Sequence, residues 1–321
     1  MHEPTYRQTL IHSWKLVWHN KNIWGLGLLS AIFAGSFGIN NFLGQLFNSI
    51  STNGEIAIIS WPTLNYFYFG ADFNTLSLII LGIVSVAIIV GLIFVSVVSK
   101  ISLMLISVDY YKKDHEPRIV PVWHKALKYF WKIFTLEILR KILFLLVLFI
   151  FSLIWINTNP FANIWTMIIS VLALALTILL ALAISSVTIF ASGYAVIDEE
   201  KLYPSIIRGY KLFKKHFLVN VEMSIILLII DFILIMGIIL LMSLTFVPSL
   251  LIWIIAGFFA NNMGLMAFGF ALGLIILLLS IVLIGAVYNT FYTTTWMYMF
   301  MKMHHEGFLS RLRHYFKKLF N

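Results

Sequence analysis

The chain has 321 residues, of which 61% are hydrophobic and 11% charged, whereas soluble domains carry about 25% charged residues. Too little charge is present to cover a soluble surface, so a soluble enzyme, a disordered chain and a collagen-like chain are excluded. No cysteine is present, which removes disulfides, thiolate catalysis and Cys-ligated metals. The net charge of +9 points to membrane topology and anionic lipid, with no nucleic acid partner expected.

A hydrocarbon core about 30 Å thick needs about 20 helical residues. Six apolar runs meet that length: residues 23–47, 76–108, 138–156, 164–197, 218–246 and 265–300. The first is expected to stay as a span and not to be cleaved as a leader, because three tryptophans precede or open it. A polar stretch (48–75) separates the first two spans. Asn157-Thr158-Asn159-Pro160 predicts a tight turn between the third and fourth. Residues 248–260 are apolar but too short to span, and they predict an interfacial or re-entrant helix. With six spans and the N-terminus inside, all 22 Lys and Arg fall in or toward inner segments and none on the outer connections. The expected location is a prokaryotic inner membrane, multi-pass, with both termini cytoplasmic.

Three segments before the odd-numbered spans resemble one another: Trp14-Lys15-Leu16-Val17-Trp18-His19, Leu127-Lys128-Tyr129-Phe130-Trp131-Lys132 and Tyr210-Lys211-Leu212-Phe213-Lys214-Lys215. The expected fold is therefore an all-α integral membrane protein of six transmembrane helices in three hairpins. A basic amphipathic interfacial helix precedes each hairpin. The repeat units are about 6–108, 120–197 and 203–300, within one membrane domain covering 1–321. A further amphipathic cytoplasmic helix lies at 301–321, where Phe308, Leu312, Tyr315, Phe316 and Leu319 form an apolar stripe. Lys15, Lys128, Lys132, Lys211, Lys214, Arg311 and Lys317 are the expected contacts to anionic headgroups of the cytoplasmic leaflet.

The order of features resembles a widespread group of prokaryotic membrane proteins that includes the membrane domain attached to glycerophosphoryl diester phosphodiesterases. The resemblance rests on Ser13–Lys21 leading into Trp24-Gly25-Leu26-Gly27, and on Ala195-Val196-Ile197-Asp198-Glu199 followed by Tyr210-Lys211-Leu212-Phe213. It also rests on Thr293-Thr294-Thr295-Trp296-Met297-Tyr298. It implies architecture only. Nothing in the chain resembles the phosphodiesterase catalytic domain, so that activity is not carried over.

Charge within an apolar span is the main pointer to function. Asp231 lies 14 residues past Phe217, roughly 21 Å along a helix at 1.5 Å per residue. Lys100 lies nine residues before Asp109, roughly 13 Å from the inner boundary. Glu222 is roughly 6 Å from that boundary, and snorkelling brings the Lys100 ammonium toward it, so Lys100 and Glu222 are expected to pair. These three form the candidate intramembrane polar site. Glu137 finds a local partner at i+4 in Lys141. Ala173, Thr177, Ala181 and Ser185, and the pair Gly269 and Gly273, predict close helix packing. His304-His305-Glu306 is the densest histidine cluster, and adjacent positions on a helix do not chelate together. No metal, cofactor or catalytic residue is expected, and no nucleotide-binding or hydrolase motif occurs. Three functions fit this pattern: a non-enzymatic scaffold or lipid-interacting protein, a small transporter or channel using Asp231, and an intramembrane lipid enzyme.

Overall fold

The computed structural model describes residues 5–34, 75–113, 119–158, 163–255, 257 and 263–305. These residues are almost entirely helical, with no strand among them. The elements are α1 (Thr5–His19), α2 (Trp24–Ala34), α3 (Thr75–Lys113), α4 (Ile119–Leu127), α5 (Phe130–Thr158), α6 (Ile164–Ile197), α7 (Leu202–Lys215), α8 (Phe217–Ile255) and α9 (Met263–His305). Five of them, α3, α5, α6, α8 and α9, are long and apolar enough to cross a membrane. The first predicted span enters α2, and its residues 35–47 lie outside the described set, as do 48–74, 306–321 and the expected headgroup contacts Arg311 and Lys317.

Five of the six predicted apolar runs lie on helices long enough to span a membrane, and the helix ends differ from the predicted ones. Helix α6 coincides with the predicted run. Helix α5 begins at Phe130, eight residues early, so the Leu127–Lys132 segment straddles the break between α4 and α5 and is not one helix. Residues 248–255 form no separate re-entrant helix. Helix α8 runs unbroken through Pro248 to Ile255. A proline removes one backbone hydrogen bond, and membrane helices tolerate it when nearby hydroxyls bond the backbone. Nearby, Thr245 Oγ1 donates to the Leu241 carbonyl and Ser249 Oγ to the Thr245 carbonyl, neither of them the Leu244 carbonyl that Pro248 leaves without its helical donor. Of the predicted Asn157–Pro160 turn, residues 157 and 158 belong to α5 and 159–160 lie outside the described residues, while Asn163 caps α6 by accepting from Thr166 N at 2.9 Å.

Packing is uneven along the long helices. At one end, the C-terminal part of α3 (Ser96–Val108), the end of α6 (Ser186–Val196) and the C-terminal part of α9 (Ala286–Met303) are packed together. The other halves expose Ile, Leu, Val and Phe on most faces, as expected where lipid takes the place of a protein neighbour. Helix α2 pairs with α3, α5 with α6, and α8 with α9. The short helices crowd the packed end, α1 against α9, α4 against α3 and α7 against α6. Each short helix therefore lies on a central long helix, and α1, first in the chain, lies on the last one.

Short breaks let the chain turn from short helix to long helix. After α1, Asn20 Nδ2 donates back to the Leu16 carbonyl and Trp24 Nε1 donates to the Val17 carbonyl, both at 2.9 Å. Those bonds satisfy carbonyls that a helix end leaves open. After α7, the His216 N–H closes on the Leu212 carbonyl before α8 starts. Small residues set the closest approaches. A Cβ on Gly209 would lie 2.8 Å from Ala191 N and 3.0 Å from the Val187 carbonyl oxygen, both backbone atoms of α6. A Cβ on Gly27 would collide with the Ala286 carbonyl and the Thr290 hydroxyl of α9. Gly269 and Gly273 meet Ile252 and Ser249 of α8, the close packing that GxxxG predicts.

Gly209→Val and Gly27→Val are expected to lower stability by about 1–3 kcal/mol each, the cost of overpacking against atoms that cannot move aside. Gly91→Val, where the added atoms meet nothing within 4 Å, is expected to leave the melting temperature in detergent unchanged. Equal melting temperatures for all three variants would contradict these approaches.

Candidate functional site

Three titratable groups meet deep in the bundle. Lys100 of α3 forms an ion pair with Glu137 of α5, and Arg140, one turn further along α5, reaches the other carboxylate oxygen at 2.8 Å. The Glu137 side chain is 1% exposed, Lys100 11% and Arg140 21%. Glu137 lies seven residues into α5, and Arg140 about 15 Å from its first residue at 1.5 Å per residue. This level is where the packed end stops and the exposed apolar halves begin.

A cavity of about 60 Å³ adjoins this group. Ser30 of α2, Lys100, Arg140, and Asn289, Tyr292 and Trp296 of α9 contribute its polar wall. Asn289 Nδ2 donates to the Gly27 carbonyl at 2.7 Å and also to Ser30 Oγ, which ties α9 to α2 beside the cavity. The Trp296 Nε1–H lies toward the Tyr292 hydroxyl, yet no acceptor completes a hydrogen bond of normal geometry with it. None of the described residues lining the cavity is acidic.

The three residues expected to form one polar site do not converge. Lys100 pairs with Glu137, not with Glu222. Glu222 accepts a hydrogen bond from the Tyr6 hydroxyl of α1. Asp231 is half-buried on α8 and stands across from the Tyr288 hydroxyl of α9. Rise per residue gives a position along each helix but leaves open which way a side chain points around the bundle. Helix α3 packs on α5, which turns Lys100 toward Glu137. The sequence reading explained Glu137 through Lys141 alone and so missed Arg140, although i+3 and i+4 partners share one helix face. It also missed Tyr288, Tyr292 and Trp296, whose spacing of four marks one stripe of α9.

A second polar group sits on the loop after α6, at the short-helix end. Glu199 adopts φ = 56°, a left-handed conformation rarely held by a non-glycine residue. Its carboxylate accepts from the Tyr129 hydroxyl at 2.6 Å and from Lys128 Nζ at 3.0 Å. Lys132 Nζ donates to the carbonyls of Glu199 and Glu200. Arg208 of α7 pairs with Glu200, and His304 of α9 lies 3.7 Å from the Asp198 carboxylate. Lys128 and Lys132, expected at lipid headgroups, thus reach an acidic loop of the protein itself. The Tyr129 hydrogen bond, followed by Lys128, holds the Glu199 carboxyl below its ordinary range. Burial and the adjacent carboxylate push the Tyr129 hydroxyl up to about 12. Lys15, Lys211 and Lys214 are exposed. Among the described residues, no group of three His, Asp or Glu could hold a metal ion.

Removing one member of the buried pair leaves the other uncompensated, which typically costs about 3–5 kcal/mol. Lys100→Met is therefore expected to be strongly destabilising, and Lys100→Met combined with Glu137→Met to recover part of the loss in a double-mutant cycle. Glu222→Gln with Lys100→Met should show no coupling. For Glu199 the folded-state pKa is depressed. Its contribution is thus present above the unfolded value of about 4.3 and is lost as pH falls through the lower folded value. Acidification is expected to speed amide exchange in the loop 198–201, and Glu199→Gln to abolish that acid dependence.

No protein-family model, curated protein or solved structure matches the chain.

Proposed function

We propose that this chain is a non-enzymatic, lipid-interacting protein of a prokaryotic inner membrane, with both termini cytoplasmic. In this reading it has six spans in three hairpins, with α1, α4 and α7 as the interfacial helices that open each hairpin. It would be akin to the membrane domain of glycerophosphoryl diester phosphodiesterases without their catalytic domain. The observation that carries the reading is the chemistry shown outward by the short helices. Trp14 and Trp18 stack on each other, 48% and 51% exposed, beside Lys15. Tyr203 and Tyr210 are exposed on α7 near Lys211 and Lys214, and Trp131 is exposed at the start of α5. Exposed aromatic rings and lysines on the short helices and the start of α5 suit a headgroup boundary.

A groove between α1, α8 and α9 supports the same reading. It has a volume of about 580 Å³ and is lined by Leu10, Trp14, Ile230, Leu234, Val287 and Phe291 among others. An acyl chain fits that lining, with Trp14 at the headgroup end. Asp231 is not among the described residues lining the polar cavity beside Lys100, so that cavity lends no support to a transporter keyed to Asp231.

The test compares melting temperatures in nanodiscs of phosphatidylcholine with and without phosphatidylglycerol. Each lysine near an anionic surface contributes about 1 kcal/mol. Phosphatidylglycerol is expected to raise the melting temperature, added salt to reduce the gain, and a triple variant Lys15→Gln, Lys211→Gln, Lys214→Gln to remove most of it. Identical behaviour of wild type and triple variant in both lipids would refute the reading.

A further inference from the structure

We propose that one face of the membrane's hydrocarbon core crosses the bundle at the level of the Lys100–Glu137 pair. Acyl chains then meet only the exposed halves of the long helices, and the packed end stands in the headgroup layer and the water beyond. The argument starts from length. Helix α3 has 39 residues and α9 has 43, roughly 58 and 64 Å at 1.5 Å per residue. A core of about 30 Å takes up only about 39 Å of a helix tilted by about 40°, the upper end of the range for membrane helices. About a third of each helix stands outside the core even at that tilt.

Burial shows which part. Along α3, α5, α6, α8 and α9, packed side chains give way to exposed ones at Ser96, Glu137, Ser186, Leu227 and Ala286. Contacts hold these positions at one level. Lys100 pairs with Glu137, Ser96 donates to the Ser30 carbonyl, and Asn289 donates to Ser30 Oγ. Ile189 of α6 lines the same cavity as Lys100 and Asn289, and Asp231 of α8 stands against Tyr288. From this level to the far ends of α5, α6 and α9 is roughly 30–35 Å at 1.5 Å per residue, the thickness of the hydrocarbon core.

Charge changes at the same level. On the exposed side, the described Asp, Glu, Lys and Arg residues of these helices are Arg140, Lys141 and Asp231, each within four residues of the change. Side chains that close to a boundary reach headgroups, so Asp231 is accounted for without an ion path. Exposed Trp155, Trp165 and Trp253 lie near the far ends of their helices. Exposed Trp14 touches Phe291, five residues past Ala286. Tryptophans at both edges of an apolar band mark two interfaces. The clusters of buried apolar side chains all lie on the packed side. Water drives such burial and acyl chains do not. The apolar band is exposed on most faces of α5 and α6, which suits acyl chains around the bundle and not a protein docked on one side. The inference rests on the preceding reading only in that the chain spans a membrane, and it does not depend on anionic lipid.

The chain has no cysteine, so single cysteines serve as sites for a nitrobenzoxadiazole dye on the full chain in phosphatidylcholine nanodiscs. Exposed positions are chosen: Leu148→Cys and Leu174→Cys in the middle of the band, Ile138→Cys and Leu228→Cys at the boundary, Val120→Cys and Tyr203→Cys on the packed end. Quenching is compared for lipids with a doxyl group deep in the chain, lipids with a doxyl group near the glycerol, and aqueous iodide. Leu148 and Leu174 are expected to respond most to the deep doxyl group, and Ile138 and Leu228 most to the shallow one. Leu148 lies ten residues past Ile138 on α5, so the depth difference should be about 15 Å. Val120 and Tyr203 are expected to respond to iodide and not to the deep doxyl group. Any other depth order overturns the proposal, deepest quenching at Ile138 and Leu228 above all. Leu148 and Leu174 shielded from all three quenchers would show the band covered by protein, such as a second copy, and would overturn it too. A missing response to phosphatidylglycerol in the preceding test leaves this depth order standing, so the two readings fail separately.

Discussion

One buried carboxylate, Glu137, holds two cations inside the bundle, at the level where the long helices change from packed to exposed. A charge that deep is tolerated only with a partner close by, because low dielectric raises both the cost of isolation and the strength of pairing. The pair with Lys100 therefore ties α3 to α5, and Arg140 closes the same carboxylate from its own helix. Sliding α3 against α5 by one turn would separate these charges by about 5.4 Å, so the pair fixes register as well as proximity.

Below that level the helices pack, and beyond it they part. Lipid chains solvate apolar side chains as well as protein does, so leucine and isoleucine alone do not drive helices together in a bilayer. The packed end is instead rich in small and hydroxylated residues. Ser99, Ser102 and Ser107 of α3 each bond a carbonyl four residues back in their own helix, while Ser96 donates across to the Ser30 carbonyl of α2. Gly27 and Gly209 remove the side chain where backbones of two helices meet. The exposed halves of α5, α6 and α8 have long runs of large aliphatic residues, which is why their contacts are limited to neighbours joined by short connections.

The acidic loop after α6 serves the short-helix end as Glu137 serves the interior. Three consecutive acidic residues reach three elements: Asp198 toward α9, Glu199 toward the α4–α5 break, and Glu200 toward α7. The left-handed backbone at Glu199 is held by bonds to both its side chain and its carbonyl. Charged groups placed at a membrane boundary are usually read as lipid anchors. Here two of the lysines, Lys128 and Lys132, face protein acceptors instead.

The long apolar helices, the breaks that begin α2 and α8, and the close approach at Gly269 and Gly273 were all legible in the sequence. Each follows from local composition, since an apolar run, a polar interruption or a four-residue spacing acts within one helix. The positions of Lys100, Glu222 and Asp231 along their helices were legible for the same reason, because rise per residue is constant. Their partners were not. Whether Lys100 meets Glu137 or Glu222 depends on the rotation of each helix about its axis and on which helices are neighbours. Both are decided by contacts between residues tens to hundreds of positions apart, such as Gly27 with Ala286 or Tyr6 with Glu222. The sequence by itself determined that the chain is helical and belongs in a membrane. Only the tertiary structure decided which charges share the interior, because pairing is a property of helix faces brought together and no single helix contains it.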